Sequence, residues 1–378
     1  MPNLRIHHQI SEINAEQWDR LRGDDYPFLK HAFLNALEQS GCVCEDSGWH
    51  PVHLVVEQQG ELIAAMPMYL KSHSWGEYVF DWSWQEAWEH AGLEYFPKLV
   101  TAIPFTPATG PRILHNTQHL SFETALSIFA NAIRELCHEH QFSGWHGLFV
   151  EESQLTQYQA QQLMARQDCQ YHWFNRDYQD FDHFLHSFTS RKRKNVRKER
   201  QRVRQQGIVL TRYEGKKITH QLVDTFFDFY QLTYLKHGHH GHLNKAFFQQ
   251  LVAVMPEQIV LVMAYHQHKP VAAAWSFKDA ETLYGRYWGC DEEFDSLHFE
   301  TCYYQGIDYC IEHGLKHFDP GAQGEHKIQR GFEPISTWSV HWIEHHEFRQ
   351  AVARFLGEER EYVEARIDEL TTYLPFHQ

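Results

Sequence analysis

Apolar residues in the last third of the chain follow a helical period that is flanked by two apolar runs. The helical set falls at three-four spacing and comprises Phe299, Cys302, Tyr303, Gly306, Ile307, Cys310 and Ile311. Gly314 is expected to end this helix in a left-handed conformation. Residues 282–288 are rich in β-branched and aromatic side chains and predict a strand, and a second, short strand is predicted at residues 315–319. The pattern therefore predicts a strand–helix–strand unit.

Paired apolar runs elsewhere predict two hairpins. Residues 52–56 and 62–70 form the first pair, and residues 259–265 and 271–277 form the second. Residues 78–82 are expected to continue the first sheet. The segments before the hairpins, 29–37 and 243–251, align at an offset of 214 residues (243 − 29). Segments within the hairpins, 63–66 and 271–274, align at an offset of 208 (271 − 63).

These matches occur in the same order and predict a duplicated α/β unit. Each copy is expected to be a mostly antiparallel mixed sheet flanked by helices. We expect residues 1–178 to form the first domain and residues 179–378 the second. The length of 378 residues agrees with two domains, because single domains usually stop growing near ~250 residues.

Composition narrows the possible functions. There is no basic-then-apolar opening segment and no apolar run near ~18 residues, so a cytoplasmic protein without a membrane span is predicted. Seven cysteines fit reduced thiols better than a disulfide framework. The histidine-rich segment 237–242 is expected to be a loop with incidental histidines, and no metal site is predicted. A formal charge of −15 argues against nucleic acid coating the whole surface.

One segment has the opposite charge. In residues 191–204, nine of the fourteen side chains are Lys or Arg against a single Glu. Only Val196 and Val203 offer this predicted helix an apolar side, so nearly its whole circumference is expected to face water or a polyanion. The candidate contacts to a phosphate-rich partner are Arg193, Lys194, Arg197 and Lys198. A solvated face, or pairing with carboxylates of the protein's own surface, is the alternative.

A glycine-containing loop follows the strand predicted at residues 315–319. Gly321 and Gly324 allow the backbone to approach a ligand and to direct N–H groups towards it, and Gln323 lies between them. Four ionisable residues follow, and we predict them to form the catalytic centre: Glu325, His326, Lys327 and Arg330. Such a loop suits a phosphate or a developing oxyanion. The alternative is a tight turn with a solvated basic shoulder.

Further candidates for substrate binding lie outside the loop. Arg286, His298 and Glu300 either bind substrate or form an internal polar network. Asp81 and Trp82 belong to a tryptophan-rich stretch, residues 75–88, whose aromatic faces and carboxylates suit a groove for a sugar or a peptide. Packing in the core is the stronger explanation for these aromatic residues.

The chain resembles the bacterial Fem family of aminoacyl-tRNA-dependent peptidyltransferases. The resemblance rests on the basic helix ending at Gly207, on residues 303–314 followed by Phe318-Asp319, and on the glycine loop closing with Arg330-Gly331-Phe332. It covers essentially the whole chain and implies two tandem GNAT-like folds. It also implies acyl or aminoacyl transfer to an amine, with a tRNA partner and a peptidoglycan precursor as acceptor.

Within that resemblance, the loop residues can take the roles that amide formation requires. Gly321 and Gly324 N–H groups with Lys327 would hold the oxyanion, and Glu325 or His326 would accept the amine proton. Arg286 would anchor a carboxylate or a phosphate.

No cofactor is firmly implied, since the acyl donor is either an aminoacyl-tRNA or an acyl-CoA. The pyrophosphate loop of acyl-CoA enzymes is expected at residues 290–297, but the segment is acidic here and would repel a pyrophosphate. A non-catalytic module that recognises cell-wall material or peptides is a further alternative.

Overall fold

The computed structural model describes residues 2–23, 25–236, 238–322 and 324–377. Its strands are β1 (Asn3–His7), β2 (Trp49–Pro51), β3 (His53–Gln58), β4 (Glu61–Met66), β5 (Tyr69–Lys71), β6 (Lys98–Thr101), β7 (Leu114–His115), β8 (Gly144–Val150), β9 (Met164–Phe174), β10 (Ile208–Glu214), β11 (Ile259–His266), β12 (Lys269–Lys278), β13 (Thr282–Cys290), β14 (His317–Asp319) and β15 (Glu333–Ile343).

The α-helices are α1 (Ala15–Arg22), α2 (His31–Gln39), α3 (Trp82–His90), α4 (Phe122–His140), α5 (Leu155–Ala160), α6 (Phe181–His186), α7 (Ser190–Gln205), α8 (His220–Lys236), α9 (Lys245–Val254), α10 (Leu297–Phe299), α11 (Gln305–His313) and α12 (His346–Thr371). A π-helical turn, Glu300–Tyr304, joins α10 to α11. Among the described residues, no helix is long and apolar enough to cross a membrane.

The chain divides into two compact units. The first comprises Met1–Cys169 and Ser336–Arg366, and the second comprises Gln170–Ile335 and Ile367–Gln378. This division differs from the predicted bounds, 1–178 and 179–378, chiefly because residues 336–366 join the first unit. The physical reason is local: residues 338–343 of β15 pair with β8, and Val352 and Leu356 of α12 pack with Trp84 and Trp88.

Both units contain the predicted repeat in the same topological place. In the first, β1, α1 and α2 precede the β3–β4 hairpin, and β7 pairs with β4. In the second, β10, α8 and α9 precede the β11–β12 hairpin, and β13 pairs with β12. All of these pairings are antiparallel. The aligned segments fall on α2 and α9, so the topology agrees with a duplicated unit.

Each unit also contains a parallel strand pair that is joined through a helix. In the first unit, β6 and β8 are parallel and α4 connects them, and its core contains Phe129 and Ile133 of that helix. In the second unit, β13 and β14 are parallel, with α10, the π-turn and α11 between them. The predicted strand–helix–strand unit is therefore confirmed, except that its helix carries a π-turn.

The prediction of a strand at residues 78–82 is wrong. Helix α3 begins at Trp82 instead, after a turn. Trp84 and Trp88 are four residues apart, so both fall on one helical face, and both are buried in a cluster with Tyr95 and Ile343. Burial of that face, which needs helical spacing, explains why the chain enters a helix at Trp82 and does not continue as a strand.

Candidate active site

The candidate site lies in the second unit, on the loop that follows β14. This loop passes through Gly321, Gly324 and Gly331, whose φ angles are 89°, 111° and 87°. Such left-handed backbone favours glycine. At Gly331 a side chain would also collide with Phe184 of α6, because a Cβ there would lie 2.8 Å from its ring. The three glycines therefore allow the backbone conformation that the loop adopts. Gln323, the remaining predicted loop residue, lies outside the described residues.

A buried ion pair fixes the start of the loop. Asp319, at the end of β14, binds Arg286 of β13 with Oδ–N distances of 2.6 and 3.1 Å, and both side chains are 1% exposed. The Gly321 N–H donates to the same carboxylate at 2.9 Å. Burial alone would raise the pKa of Asp319, but the charges of Arg286 and His172 lower it to about 2.

This arrangement changes two predicted roles. The Gly321 N–H is bound to Asp319 in this structure, so it is not the oxyanion donor that the sequence suggested. The guanidinium of Arg286 binds the same carboxylate and two backbone carbonyls, which matches the internal network rather than a ligand anchor. Both groups shape the loop instead.

Lys327 is a buried cation at the centre of the loop. Its side chain is 2% exposed, and Nζ donates to the Gly321 carbonyl at 2.7 Å and to the Pro320 carbonyl at 3.4 Å. Burial lowers the pKa of Lys327 to about 8, although the field of Asp319 opposes this shift. Lys327 is therefore an ammonium donor close to its titration point at neutral pH.

An aromatic and histidine cluster adjoins Lys327. The Tyr303 hydroxyl is hydrogen-bonded to His326 Nε2 at 2.9 Å, and the Lys327 ammonium lies 6.0 Å from the Tyr303 ring. His298 packs edge-on against Tyr303 at 5.2 Å. Burial, followed by the charges of Arg330 and Lys327, lowers the pKa of His326. Burial, followed by the neighbouring basic side chains of His326, Arg330 and Lys327, lowers the pKa of His298 to about 4. Both imidazoles are therefore neutral at pH 7.

Arg330 closes the loop through three contacts. It donates to the His326 carbonyl at 2.7 Å and to Glu199 of α7 at 2.8 Å, and its guanidinium lies 3.3 Å from the centre of the Phe299 ring. The Tyr304 hydroxyl also donates to Glu199. Because its guanidinium is already bound to Glu199 and packed on Phe299, Arg330 positions His326 and the loop. Glu325, by contrast, is exposed.

Glu300, the first residue of the π-turn, belongs to a different hydrogen-bond network. It is 4% exposed and binds Arg200 of α7 through both oxygens, at 3.0 and 3.1 Å. Arg200 also binds Asp308 at 2.6 Å. Because a π-turn inserts one extra residue, it offsets the helical faces on either side, and such turns recur at functional sites. Tyr303 here contacts His326, while Tyr304 contacts Glu199.

The basic helix α7 forms as predicted but is not exposed all round. Val196 and Val203 are buried, and Glu199 and Arg200 bind partners within the second unit. Arg197 pairs with Asp182 at 2.9 Å, and Arg193 approaches Ser190 at 3.5 Å. The exposed cations Arg191, Lys194 and Lys198, which we call the basic row, remain on the outer face at three- and four-residue spacing.

The two candidates in the first unit have structural contacts. Asp81 is 2% exposed and binds Lys98 at 2.5 Å and the Tyr95 hydroxyl, also at 2.5 Å. It is therefore not a groove carboxylate, as the sequence suggested. Trp82 is 37% exposed and contacts the exposed rings of Trp75 and Phe80. Packing explains the buried tryptophans of this stretch, and these three rings stay at the surface.

Sequence reasoning missed Asp319, Glu199, Tyr304 and His172. Asp319 had a usable signal, because a carboxylate at the end of a strand and directly before Pro-Gly is well placed to organise a loop. The other three come from segments far from the loop in sequence. In the part of the chain that the structure describes, no group of three or more His, Cys, Asp or Glu residues is placed to hold a metal ion.

The chain belongs to the FemAB-like family, described as peptidoglycan biosynthesis/recognition, whose model matches residues 9–378. The resemblance seen in the sequence is thereby confirmed. No curated protein sequence matches the chain. The family description includes biosynthesis, which agrees with the predicted enzyme class, a transferase.

Solved structures share the fold at low identity. The C-terminal domain of a protein described as a lysylphosphatidylglycerol synthetase from Agrobacterium fabrum matches with a TM-score of 0.55 and 8% identity, over 93% of this chain and 97% of that one. FemX matches with a TM-score of 0.54 and 11% identity, over 92% of this chain and 100% of that one. A protein of unknown function from Bacteroides thetaiotaomicron matches with a TM-score of 0.53 and 10% identity, over 90% of this chain and 99% of that one. The predicted α/β class, with two units that each combine a mostly antiparallel sheet with helices, is confirmed.

We predict that Asp319→Asn destabilises the protein by about 3–5 kcal/mol, because it leaves the Arg286 guanidinium buried without its counter-charge. Denaturant unfolding measures the change. The pKa of Asp319 is depressed on folding, so its contribution to stability is present above the unfolded pKa near ~4 and is lost as the pH falls towards about 2.

The matched control is Glu281→Gln, which breaks the exposed pair with Lys316. This change is expected to leave the free energy of unfolding nearly unchanged, because exposed ion pairs contribute little. Equal costs for the two variants would contradict the importance of the buried pair.

Proposed function

We propose that this protein transfers an aminoacyl group from an ester donor to an amine acceptor at the glycine loop. The observation that carries the proposal is Lys327, a buried ammonium that is bound only by carbonyls among the hydrogen-bond partners described for it. A cation without a buried carboxylate partner can donate to negative charge that develops during a reaction.

The proposed step is an aminolysis of the donor ester. The acceptor nitrogen attacks the acyl carbon, a C–N bond forms, and the C–O bond to the donor hydroxyl breaks. His326 accepts the amine proton, since burial and neighbouring cations keep it neutral. Lys327 stabilises the oxyanion and donates a proton to the leaving oxygen. Exchange with solvent then restores both residues, and the net products are an amide and an alcohol.

The Tyr303 hydroxyl supports this assignment by fixing the orientation of His326. Their 2.9 Å hydrogen bond engages one ring nitrogen and leaves the other for proton transfer. Glu325 is exposed beside His326 in sequence and is the second candidate for the base. Gly324, with its φ of 111°, is the remaining predicted backbone donor to the oxyanion.

An aminoacyl-tRNA is the donor that the charge distribution favours. The basic row, Arg191, Lys194 and Lys198, presents exposed cations on one face of α7 in a protein of formal charge −15. The segment between β13 and α10 contains the exposed acids Asp291, Glu292 and Glu293, which disfavour a pyrophosphate at that position. This supports tRNA over acyl-CoA.

The family description supports a peptidoglycan precursor or a related amine as the acceptor. A second candidate function, recognition of cell-wall material without catalysis, is favoured by one observation in the first unit. Trp75, Phe80 and Trp82 are 61%, 54% and 37% exposed, and Trp82 contacts both of the other rings, as in a platform for flat ligands.

We predict that Lys327→Met lowers turnover by about 10²-fold or more without lowering the melting temperature. Methionine keeps the aliphatic stem but removes the charge. Because the pKa of Lys327 is depressed on folding, the buried charge opposes folding below about pH 8, and removing it relieves that cost. Transfer of amino acid from charged tRNA to candidate amines measures turnover, and thermal unfolding measures stability.

The control is Lys316→Met, which changes an exposed lysine of the same unit and is expected to leave turnover unchanged. The pH profile adds a second readout. If Lys327 acts as the ammonium, turnover falls as the pH rises through about 8. In Lys327→Arg this fall in turnover is expected at a higher pH, because arginine keeps its proton. Full activity of Lys327→Met would contradict the proposal.

We predict that Lys194→Glu with Lys198→Glu weakens binding to tRNA and lowers its salt dependence by about one unit of slope for each lost phosphate contact. Lys216→Glu with Lys217→Glu is the matched control, because it reverses two exposed lysines outside α7 and changes the net charge equally. Equal losses in both double variants, or no tRNA binding by the parent at low salt, would contradict a role for the basic row.

A further inference from the structure

A cavity lies in the second unit, between α6 and the C-terminal half of α7. Its volume is about 780 Å³, and we call it the α6–α7 pocket. Phe181 and Leu185 of α6 give it an apolar wall, and Arg197, Arg200 and Arg204 of α7 line the facing side. The three arginines share a face because they stand at three- and four-residue spacing.

The charges in the α6–α7 pocket are balanced. Three carboxylates, those of Asp180, Asp182 and Asp308, line it together with the three arginines. A site for phosphate chains would need an excess of positive charge. Equal numbers of both signs, arranged at different places, instead suit a small molecule that carries one positive and one negative end.

The three arginines differ in their availability. Arg200 is held by Glu300 and Asp308, and its guanidinium lies 4.3 Å from the centre of the Phe181 ring. Arg197 pairs with Asp182, but the two side chains are 51% and 68% exposed, so the pair is worth little and can open. The side chain of Arg204 is exposed and makes no hydrogen bond or ion pair with the described residues. Arg204 is thus the available anion donor.

The spacing along α7 sets the length of a suitable molecule. Arg197 and Arg204 are seven residues apart, which corresponds to ~10 Å along a helix axis. Asp182 lies beside Arg197, so the available carboxylate and the available guanidinium are separated by about that distance along α7. An extended peptide spans ~3.3–3.6 Å per residue, so about three residues bridge it.

We propose that the α6–α7 pocket binds the two charged ends of a short peptide of about three residues. Its carboxylate binds Arg204, its ammonium binds Asp182, and its side chains lie along Phe181 and Leu185. The pocket is connected to the candidate active site, since Arg200 also holds Glu300 at the start of the π-turn that carries Tyr303. The inference concerns binding alone and does not require the proposed transfer reaction.

Calorimetric titration with L-alanyl-L-alanyl-L-alanine tests this inference. The parent protein is expected to bind the tripeptide, and Arg204→Ala is expected to weaken binding by about tenfold, the usual effect of losing one charged hydrogen bond. Amidation of the peptide's carboxylate is expected to weaken binding to the parent equally. It is expected to cause no further loss in Arg204→Ala, because both changes remove the same contact.

Two comparisons complete the test. N-acetylation of the tripeptide and Asp182→Asn are each expected to weaken binding, whereas Lys216→Ala, at an exposed lysine outside α6 and α7, is expected to leave it unchanged. Absence of tripeptide binding by the parent would overturn the inference, and so would additive losses from amidation and Arg204→Ala. Inorganic phosphate that binds more tightly than the tripeptide, and depends on Arg204, would show an anion site and would also overturn it.

Discussion

The buried pair between Arg286 and Asp319 is the constraint on which the candidate site depends. Asp319 ends a short strand of three residues, and its carboxylate holds both the neighbouring strand and the Gly321 N–H. Because the pair is almost completely desolvated, its two members depend on each other for stability. The loop therefore leaves the sheet in one direction, which places the Gly321 carbonyl where Lys327 binds it. Without that anchor, the following turn would have no fixed relation to β13.

The loop also holds two cations under different conditions. Arg330 is balanced by Glu199 and stacked on Phe299, which makes it a positioning residue. Lys327 is bound by carbonyl groups, and burial lowers its pKa to about 8. Strongly shifted pKa values cluster at functional sites, where a reaction uses them. This contrast between the two cations is the reason for assigning the chemistry to Lys327.

Much of the fold followed from periodicity in the sequence, whereas the internal ion pairs did not. The segments that became α2 and α9 and the two hairpins were visible as a repeat, and the basic helix was visible as a charge run. The π-turn at Glu300–Tyr304 was hidden, because one inserted residue barely changes a three-four pattern. The inward side of α7 was equally hidden: the partner of Arg200 lies 100 residues away, at Glu300, and only the folded chain brings them together. The sequence identified candidate residues from their chemical type, but assigning a role to each one required knowing which side chains it contacts in the folded protein.

The pKa of Lys327, measured directly, is the most direct test of this account. In protein labelled with ¹³C at lysine Cε, the Lys327 signal is the one that Lys327→Arg removes, and its chemical shift across pH reports the titration. The account predicts a midpoint near 8, well below the ordinary value of 10.5. A midpoint at or above 10 would show a solvated or carboxylate-paired ammonium. That result would contradict the assignment of Lys327 as the buried donor of the reaction.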